Sequence, residues 1–201
     1  MERWAPGPTS DDRSSRNRAK RGLLLASRAI QRMIEIGMDA RLLIRRAVPR
    51  DAEAIARLAG DAAAEAGGVS ALEADRIRAH AFGANPLFEA WVAQEKGGNG
   101  RPIVAHAVTT RSYDVRRGCP IVVLCELYVA PTHRRGGLAR KLMSAVARRA
   151  RDLGARDLTI TTGVDNEVAQ RFFAAIGAHP RQAAVFMMSA DGLEWLAAEG
   201  L

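Results

Sequence analysis

The chain has 201 residues, 48% of them hydrophobic and 26% charged, a composition that suits an ordinary globular domain and excludes a disordered, collagen-like or fibrous protein. That length accommodates one well-packed α/β domain plus an appendage, and no apolar run reaches the roughly 18 residues that a membrane span requires. The net charge of +8 comes almost entirely from arginine, with lysine only at Lys20, Lys96 and Lys141. Such a surplus fits either a coding bias or attraction to anions, and charge alone does not choose between them.

Residues 1–21 (MERWAPGPTSDDRSSRNRAKR) lack hydrophobic periodicity and are expected to form a disordered arm. Leu23, Ala26, Ile30, Met33 and Ile34 recur at helical spacing up to Gly37, predicting a short amphipathic helix. Residues 1–40 therefore read as arm plus helix: an over-extended start in preference to a targeting segment or a partner helix. The domain pattern begins at ARLLIRRAV, which makes residues 41–201 the expected domain.

That first strand is followed by Pro49, Asp51 and Glu53, a proline and two carboxylates where a helix start favours them. One helix is expected to run to about Ala66, where Gly67 and Gly68 end it, and a second from about Leu72 to Phe82. Leu87–Gln94 and Ile103–Arg111 alternate like strands around a glycine-rich hairpin loop. After a turn at Asp114–Pro120, Ile121–Val129 is an almost continuous apolar run, typical of a strand covered on both faces. Gly137–Leu153 is a strong helix, Leu158–Thr162 a strand, Glu167–Ile176 a helix, Ala184–Met188 a strand and Asp191–Ala198 a terminal helix. The fold class expected is α/β (α+β), with a single mixed, mostly antiparallel sheet flanked by helices on both faces. Cys119 and Cys125 flank one strand too far apart to bridge, implying reduced thiols and a cytoplasmic location.

The chemistry concentrates at one junction: the strand 121–129, then Ala130-Pro131-Thr132-His133-Arg134-Arg135-Gly136-Gly137-Leu138-Ala139, then the long helix. A helix N-terminus leaves backbone N–H groups unpaired and carries about half a positive charge, so it can hold a phosphate. Gly136, Gly137 and Ala139 allow close approach, and Arg134, Arg135 and Arg140 add charge. The spacing matches neither the dinucleotide fingerprint nor a nucleotide P-loop. His133 reads as solvated.

Arg134-x-x-Gly137-x-Ala139, placed after a Leu-Tyr-Val strand and Pro131, resembles the acetyl-CoA signature of the GNAT superfamily of N-acetyltransferases. Asn166-x-x-Ala169-x-x-Phe172-Phe173-x-x-x-Gly177 resembles a later motif of that superfamily, and the element order over residues 41–190 agrees. Asn85-Pro86-Leu87-Phe88, Leu124-Cys125-Glu126-Leu127-Tyr128-Val129 and Trp195 are similar to the diamine (spermidine/spermine-type) branch. The resemblance implies a GNAT-like acyl-CoA acyltransferase fold and direct acetyl transfer from acetyl-CoA, as co-substrate, to a primary amine of a small molecule. It further implies that backbone groups of Leu127 and Val129 pair with pantetheine, that the amides of Arg134, Arg135, Gly136, Gly137, Leu138 and Ala139 wrap the pyrophosphate, and that Asn166, Phe172 and Phe173 border the thioester. Dimers are common among such proteins, so a homodimer is compatible. Nucleic-acid and membrane partners are not expected. The four histidines show no ligand spacing, so no metal is expected.

An alkyl ammonium of pKa about 10.4 costs about 4.6 kcal/mol to deprotonate at pH 7, whereas a thiol of pKa about 8.5 costs only about 2 kcal/mol to leave as thiolate. A base or a water chain is therefore expected, and an acid is helpful but dispensable. The superfamily's usual tyrosine acid falls at Phe173, which has no proton to give; Tyr128 is the alternative donor, or packs within its strand. Glu126 is the carboxylate considered as base or amine ligand, with Asp165 second and helix capping as its alternative role. Plain strand alternation puts Cys125, Leu127 and Val129 on one face and Glu126 and Tyr128 on the other, which a bulge would reverse. The departures at Phe173 and Cys125 also leave room for a non-catalytic acyl-CoA-binding module.

Overall fold

The computed structural model describes residues 41–97, 100–182 and 185–199; the arm and amphipathic helix expected in 1–40 lie outside the described residues. Contacts divide the chain into two compact units, one ending at Thr161 and one beginning at Thr162.

The first unit is built on a five-stranded sheet of β1 (Leu42–Arg46), β2 (Glu89–Glu95), β3 (Ile103–Asp114), β4 (Cys119–Val129) and β5 (Asp157–Ile160), lying side by side in that order. Pairing is antiparallel from β1 to β4 and parallel between β4 and β5. A parallel pair needs a long crossover, which α3 (Leu138–Asp152) supplies. Between β1 and β2 lie α1 (Ala52–Glu65) and α2 (Ala74–Phe82). Pro49 opens a short 3-10 turn rather than α1 itself. There Asp51 accepts bonds from the Val48 N–H at 2.8 Å and from Arg45 at 2.6 and 2.9 Å. Burial would push the Asp51 carboxyl up, but these donors hold it below its ordinary value.

Ile55 and Leu58 of α1 and Ile77 and Ala81 of α2 bury themselves against Ala90, Val92, Val108 and Tyr128. Each large aliphatic side chain so buried contributes about 1.5–3 kcal/mol. Glu89, one residue before Ala90, points the opposite way and meets Arg149 of α3. Helices therefore cover both faces of this sheet.

The β3–β4 hairpin extends further than its sequence suggested, to Asp114 and Cys119. Its ladder carries an irregularity with functional weight: Val108 pairs with Glu126 but Thr109 pairs with Leu124, leaving Cys125 without an opposite residue. This is a β-bulge.

The second unit contains α4 (Glu167–Ala175) and α5 (Ala190–Glu199). Asn166, not Asp165, caps α4, accepting from the Ala169 N–H at 3.0 Å. Gly177, at φ 97°, ends it with a bond from the Ala178 N–H to the Phe173 carbonyl, the left-handed closure that glycine permits. The strand expected at Ala184–Met188 is not present among the described residues of that run: Val185–Met188 carry no strand and are exposed. β-propensity becomes a strand only where another backbone supplies hydrogen bonds, and the described residues of this unit contain no other strand. No helix among the described residues is long and apolar enough to cross a membrane.

Candidate active site

Three features converge at the C-terminal end of β4. The first is an open strand edge. β5 pairs with β4 only as far as Leu124–Ile160, whereas β4 runs on to Val129. Along residues 125–129 no β5 residue pairs, so the alternate backbone groups turned away from β3, apart from the Val129 carbonyl, form an edge that an extended ligand with its own amides can join as a further strand.

The second feature is the turn into α3. Pro131–His133 form a 3-10 turn whose His133 N–H donates to the Ala130 carbonyl. Arg135 and Gly137 adopt positive φ, 62° and 76°. Gly137 is the N-cap residue, and no side chain caps the helix; the first hydrogen bond drawn back to it comes from the Lys141 N–H. The early N–H groups of α3 therefore face outward without intrahelical acceptors, the arrangement that attracts a phosphate. His133 is not simply solvated: its Nε2 lies 2.8 Å from Glu95 at the end of β2, and its Nδ1 lies 2.9 Å from the Thr132 hydroxyl.

Arg134 is committed elsewhere. Its amide donates to the Pro131 carbonyl, its Nε donates to the Val129 carbonyl at 2.7 Å, and its Nη2 donates to both Glu65 oxygens at 2.8 Å. The guanidinium also lies over the Tyr128 ring at 5.3 Å. Arg134 thus braces β4 against the end of α1 instead of offering its charge to a ligand. Glu65, which sequence reasoning did not single out, sits 63 residues before Tyr128 and accepts its hydroxyl proton at 2.7 Å. Burial and this carboxylate push the Tyr128 phenol up to about 12. Tyr128, placed in the core and already donating, is poorly suited to give a proton away.

The third feature is the bulge. Before it, Leu124 lies opposite Thr109 and shares that residue's face; after it, Glu126 and Tyr128 project toward α1, beside Val108 and His106. Cys125 turns the same way, its Sγ 3.6 Å from the Thr110 hydroxyl, and is exposed, whereas Cys119 is buried; neither is bridged. Glu126 keeps 28% of its side chain in solvent, while the fully buried His106 brings Nε2 to 2.9 Å from Glu126 Oε2. That approach is close enough for an ion pair but too poorly directed for a hydrogen bond, so neither ring nitrogen has a hydrogen-bond partner among the described residues.

Asn166, Phe172 and Phe173 belong to the second unit. The Asn166 carbonyl is engaged in capping α4, and the two rings pack edge to face with centroids 5.3 Å apart. Among the described residues, no group of three or more His, Cys, Asp or Glu side chains is arranged to hold a metal ion.

An uncapped helix start beside an unpaired strand edge, on this sheet order, suits an extended ligand that ends in an anion. Residues 52–178 match the profile of the Acetyltransferase (GNAT) family, and the chain belongs to that family. Among curated proteins it is 30% identical over 77 residues to aminoglycoside N(6')-acetyltransferase type 1 of Salmonella typhimurium, covering 37% of this chain and 53% of that protein. It is 30% identical over 108 residues to thialysine N-epsilon-acetyltransferase of Bos taurus, covering 52% and 63%. The chain thus spans little more than half the length of the first of these relatives. Among solved structures, an integron cassette protein of V. cholerae superposes with a TM-score of 0.65 at 18% identity, covering 78% of this chain and 98% of that one. An aminoglycoside N-acetyltransferase in complex with CoA superposes at 0.55 with 21% identity, covering 73% and 98%. These likenesses establish the fold.

Proposed function

We propose that the protein is an acetyl-CoA-dependent N-acetyltransferase that acetylates a primary amine of a small polyamine-like or amino-acid-like molecule in the cytoplasm. The observation that carries this reading is the open edge of β4 running from the bulge into the uncapped start of α3: a backbone track ending in an anion seat fits an elongated ligand with amides along its length and a diphosphate at one end. Gly137 at the helix start leaves room there, since no Cβ projects from it. The relatives named above are, by their names, acetyltransferases for nitrogens of an aminoglycoside and of thialysine, which supports an amine acceptor.

Acetyl-CoA supplies the acetyl group as a thioester: a bond forms from the amine nitrogen to the carbonyl carbon, the C–S bond breaks, the nitrogen gives its second proton to solvent, and the thiolate takes a proton from solvent. The chain's own residues do the rest. Glu126, solvent-accessible at the bulge, takes the proton from the acceptor ammonium and leaves the nitrogen lone pair free; a positioned base of this kind contributes about 10²–10⁴-fold. Its negative charge also favours a cationic acceptor. Backbone groups of Leu127 and Val129, which alternation along the strand turns away from β3, orient the pantetheine arm and its thioester, and Arg134 with Glu65 holds the end of that track rigid. Tyr128 stays protonated and structural, consistent with a thiolate that needs no acid.

The test is amine-dependent CoA release, read with a free-thiol reagent over a panel of diamines, amino acids and aminoglycosides, with mass spectrometry of the product. Release with one acetyl group on an amine is the expected result. CoA binding without turnover on any amine would instead favour a non-catalytic acyl-CoA-binding module, which the phenylalanine at 173 also suits.

A further inference from the structure

A histidine in the middle of an apolar strand, Ile103-Val-Ala-His106-Ala-Val108, is a costly choice. His106 is fully buried, it lies among Val92, Val108 and Tyr128, and neither ring nitrogen makes a directed hydrogen bond among the described residues. A buried polar group left this way costs about 1–3 kcal/mol, and an aliphatic residue would remove the cost. What the fold gains from the imidazole is a tilted packing contact with the Tyr128 ring, centroids 6.3 Å apart, which an apolar ring would also make. Among the described residues, the charged group that its ring nitrogen approaches is the accessible carboxylate at the bulge, Glu126, at 2.9 Å.

We infer that His106 is a positioning residue for the acetyl transfer: from the neighbouring strand β3, on the same face of the sheet, it holds Oε2 of Glu126 and leaves Oε1 to meet the acceptor ammonium. This rests on the N-acetyltransferase reading and deepens it. A neutral imidazole protonated at Nε2 fits the surroundings, because that tautomer leaves only a lone pair, and no N–H, facing the apolar core at Nδ1. The misdirected contact tightens when a small shift of Glu126, on binding the ammonium, brings Oε2 into line with the N–H. His106 itself touches neither substrate.

The other charged groups near this face already have partners. On α1, Arg57 bonds to Asp61 and to the Ile103 carbonyl, and Glu65 is held by Tyr128 and Arg134. From α2 the shared core receives Ile77 and Ala81, and on β4 the Cys125 thiol lies against Thr110. His106 and Glu126 are thus left to answer to each other.

Two measurements test this. In ¹⁵N-labelled protein, long-range ¹H–¹⁵N spectra of the imidazoles should show His106 as the Nε2–H tautomer, and Glu126→Gln should shift the His106 Nε2 resonance, because the group it faces at 2.9 Å has changed. In steady-state kinetics with acetyl-CoA and 1,4-diaminobutane or L-lysine, His106→Phe should lower kcat with the amine at least tenfold. KM for acetyl-CoA should stay unchanged and the melting temperature equal or higher. His106→Gln, which restores an N–H near the Nε2 position, should recover part of the rate.

A His106 Nε2 resonance that ignores Glu126→Gln overturns the inference, as does a His106→Phe protein whose kcat is unchanged or whose rate His106→Gln does not recover. Lack of turnover by the wild type on every amine overturns the enzymatic reading and with it this role. Coupling in the spectra would then show that the pair exists without serving this reaction.

Discussion

Glu89 and Glu126 are two carboxylates on one sheet, and their surroundings differ in almost every respect. Glu89, at the start of β2, is 5% exposed and is met by three guanidiniums: Arg149 in a two-point bond at 2.7 and 2.8 Å, Arg46 at 3.2 Å and Arg111 at 3.7 Å. Glu126, beside the bulge of β4, is 28% exposed and has one poorly aimed imidazole. A carboxylate whose lone pairs are all engaged holds elements together and has nothing left to offer a ligand. One that keeps an oxygen in solvent next to an open strand edge can still bind and react. The contrast separates a brace from a reactive group on one scaffold.

The largest effect should come from breaking the brace. Glu89→Ala leaves Arg149 without its partner and is expected to cost about 3 kcal/mol of stability, read as a lower urea midpoint, while Glu126→Ala should cost under about 1 kcal/mol; equal losses would erase the contrast. The Arg149 bonds hold the Glu89 carboxyl below its ordinary 4.5. Its stabilisation is therefore complete above that value and drains away as pH falls through the lower folded value. Glu89→Gln should flatten this acid-side decline.

Next comes the reactive member. Glu126→Gln should lower kcat with the amine by about 100-fold and leave CoA affinity and melting temperature close to wild type. A loss of stability of Glu89 size without a rate effect would make Glu126 a second brace.

Smaller still is the effect at Tyr128, whose hydroxyl joins the brace formed by Glu65 and Arg134. Its phenol ionises only near 12 against an ordinary 10.0, so its contribution is complete below pH 10.0 and is lost as pH rises through the folded value. Tyr128→Phe should cost about 1–2 kcal/mol of stability, remove that tyrosinate absorbance step and change the amine turnover less than threefold. A drop in rate of the order seen for Glu126→Gln would make Tyr128 the proton donor.

Much of the scaffold was legible in the sequence, because local periodicity carries it. The α3 stripe, the apolar run of β4 and the glycine-marked turn between them all follow from neighbours in the chain, and their boundaries move by only a residue or two. What was not legible depends on distant partners. The bulge at Cys125 exists because β3 and β4 slip by one residue between Thr109 and Val108, and alternation read along β4 alone assigns every side chain after it to the wrong face. Arg134 looked like a phosphate ligand by its place in the motif, yet Glu65, 69 residues earlier, claims it. The expected strand at Ala184–Met188 had the right residues, yet its described part, Val185–Met188, finds no partner backbone among the described residues. A faint signal did exist for His106, a lone imidazole inside IVAHAV, although only the paired strands show which carboxylate it faces.

The most direct test of the central claim, that the segment opening α3 seats the diphosphate of CoA, is calorimetric titration of CoA into the wild type and into Gly137→Glu. The account predicts one saturable site in the wild type and an affinity at least 100-fold weaker in the variant, where a side chain at φ 76° and a negative charge both oppose the ligand. Undiminished affinity in a folded Gly137→Glu protein, or no binding by the wild type, would contradict it.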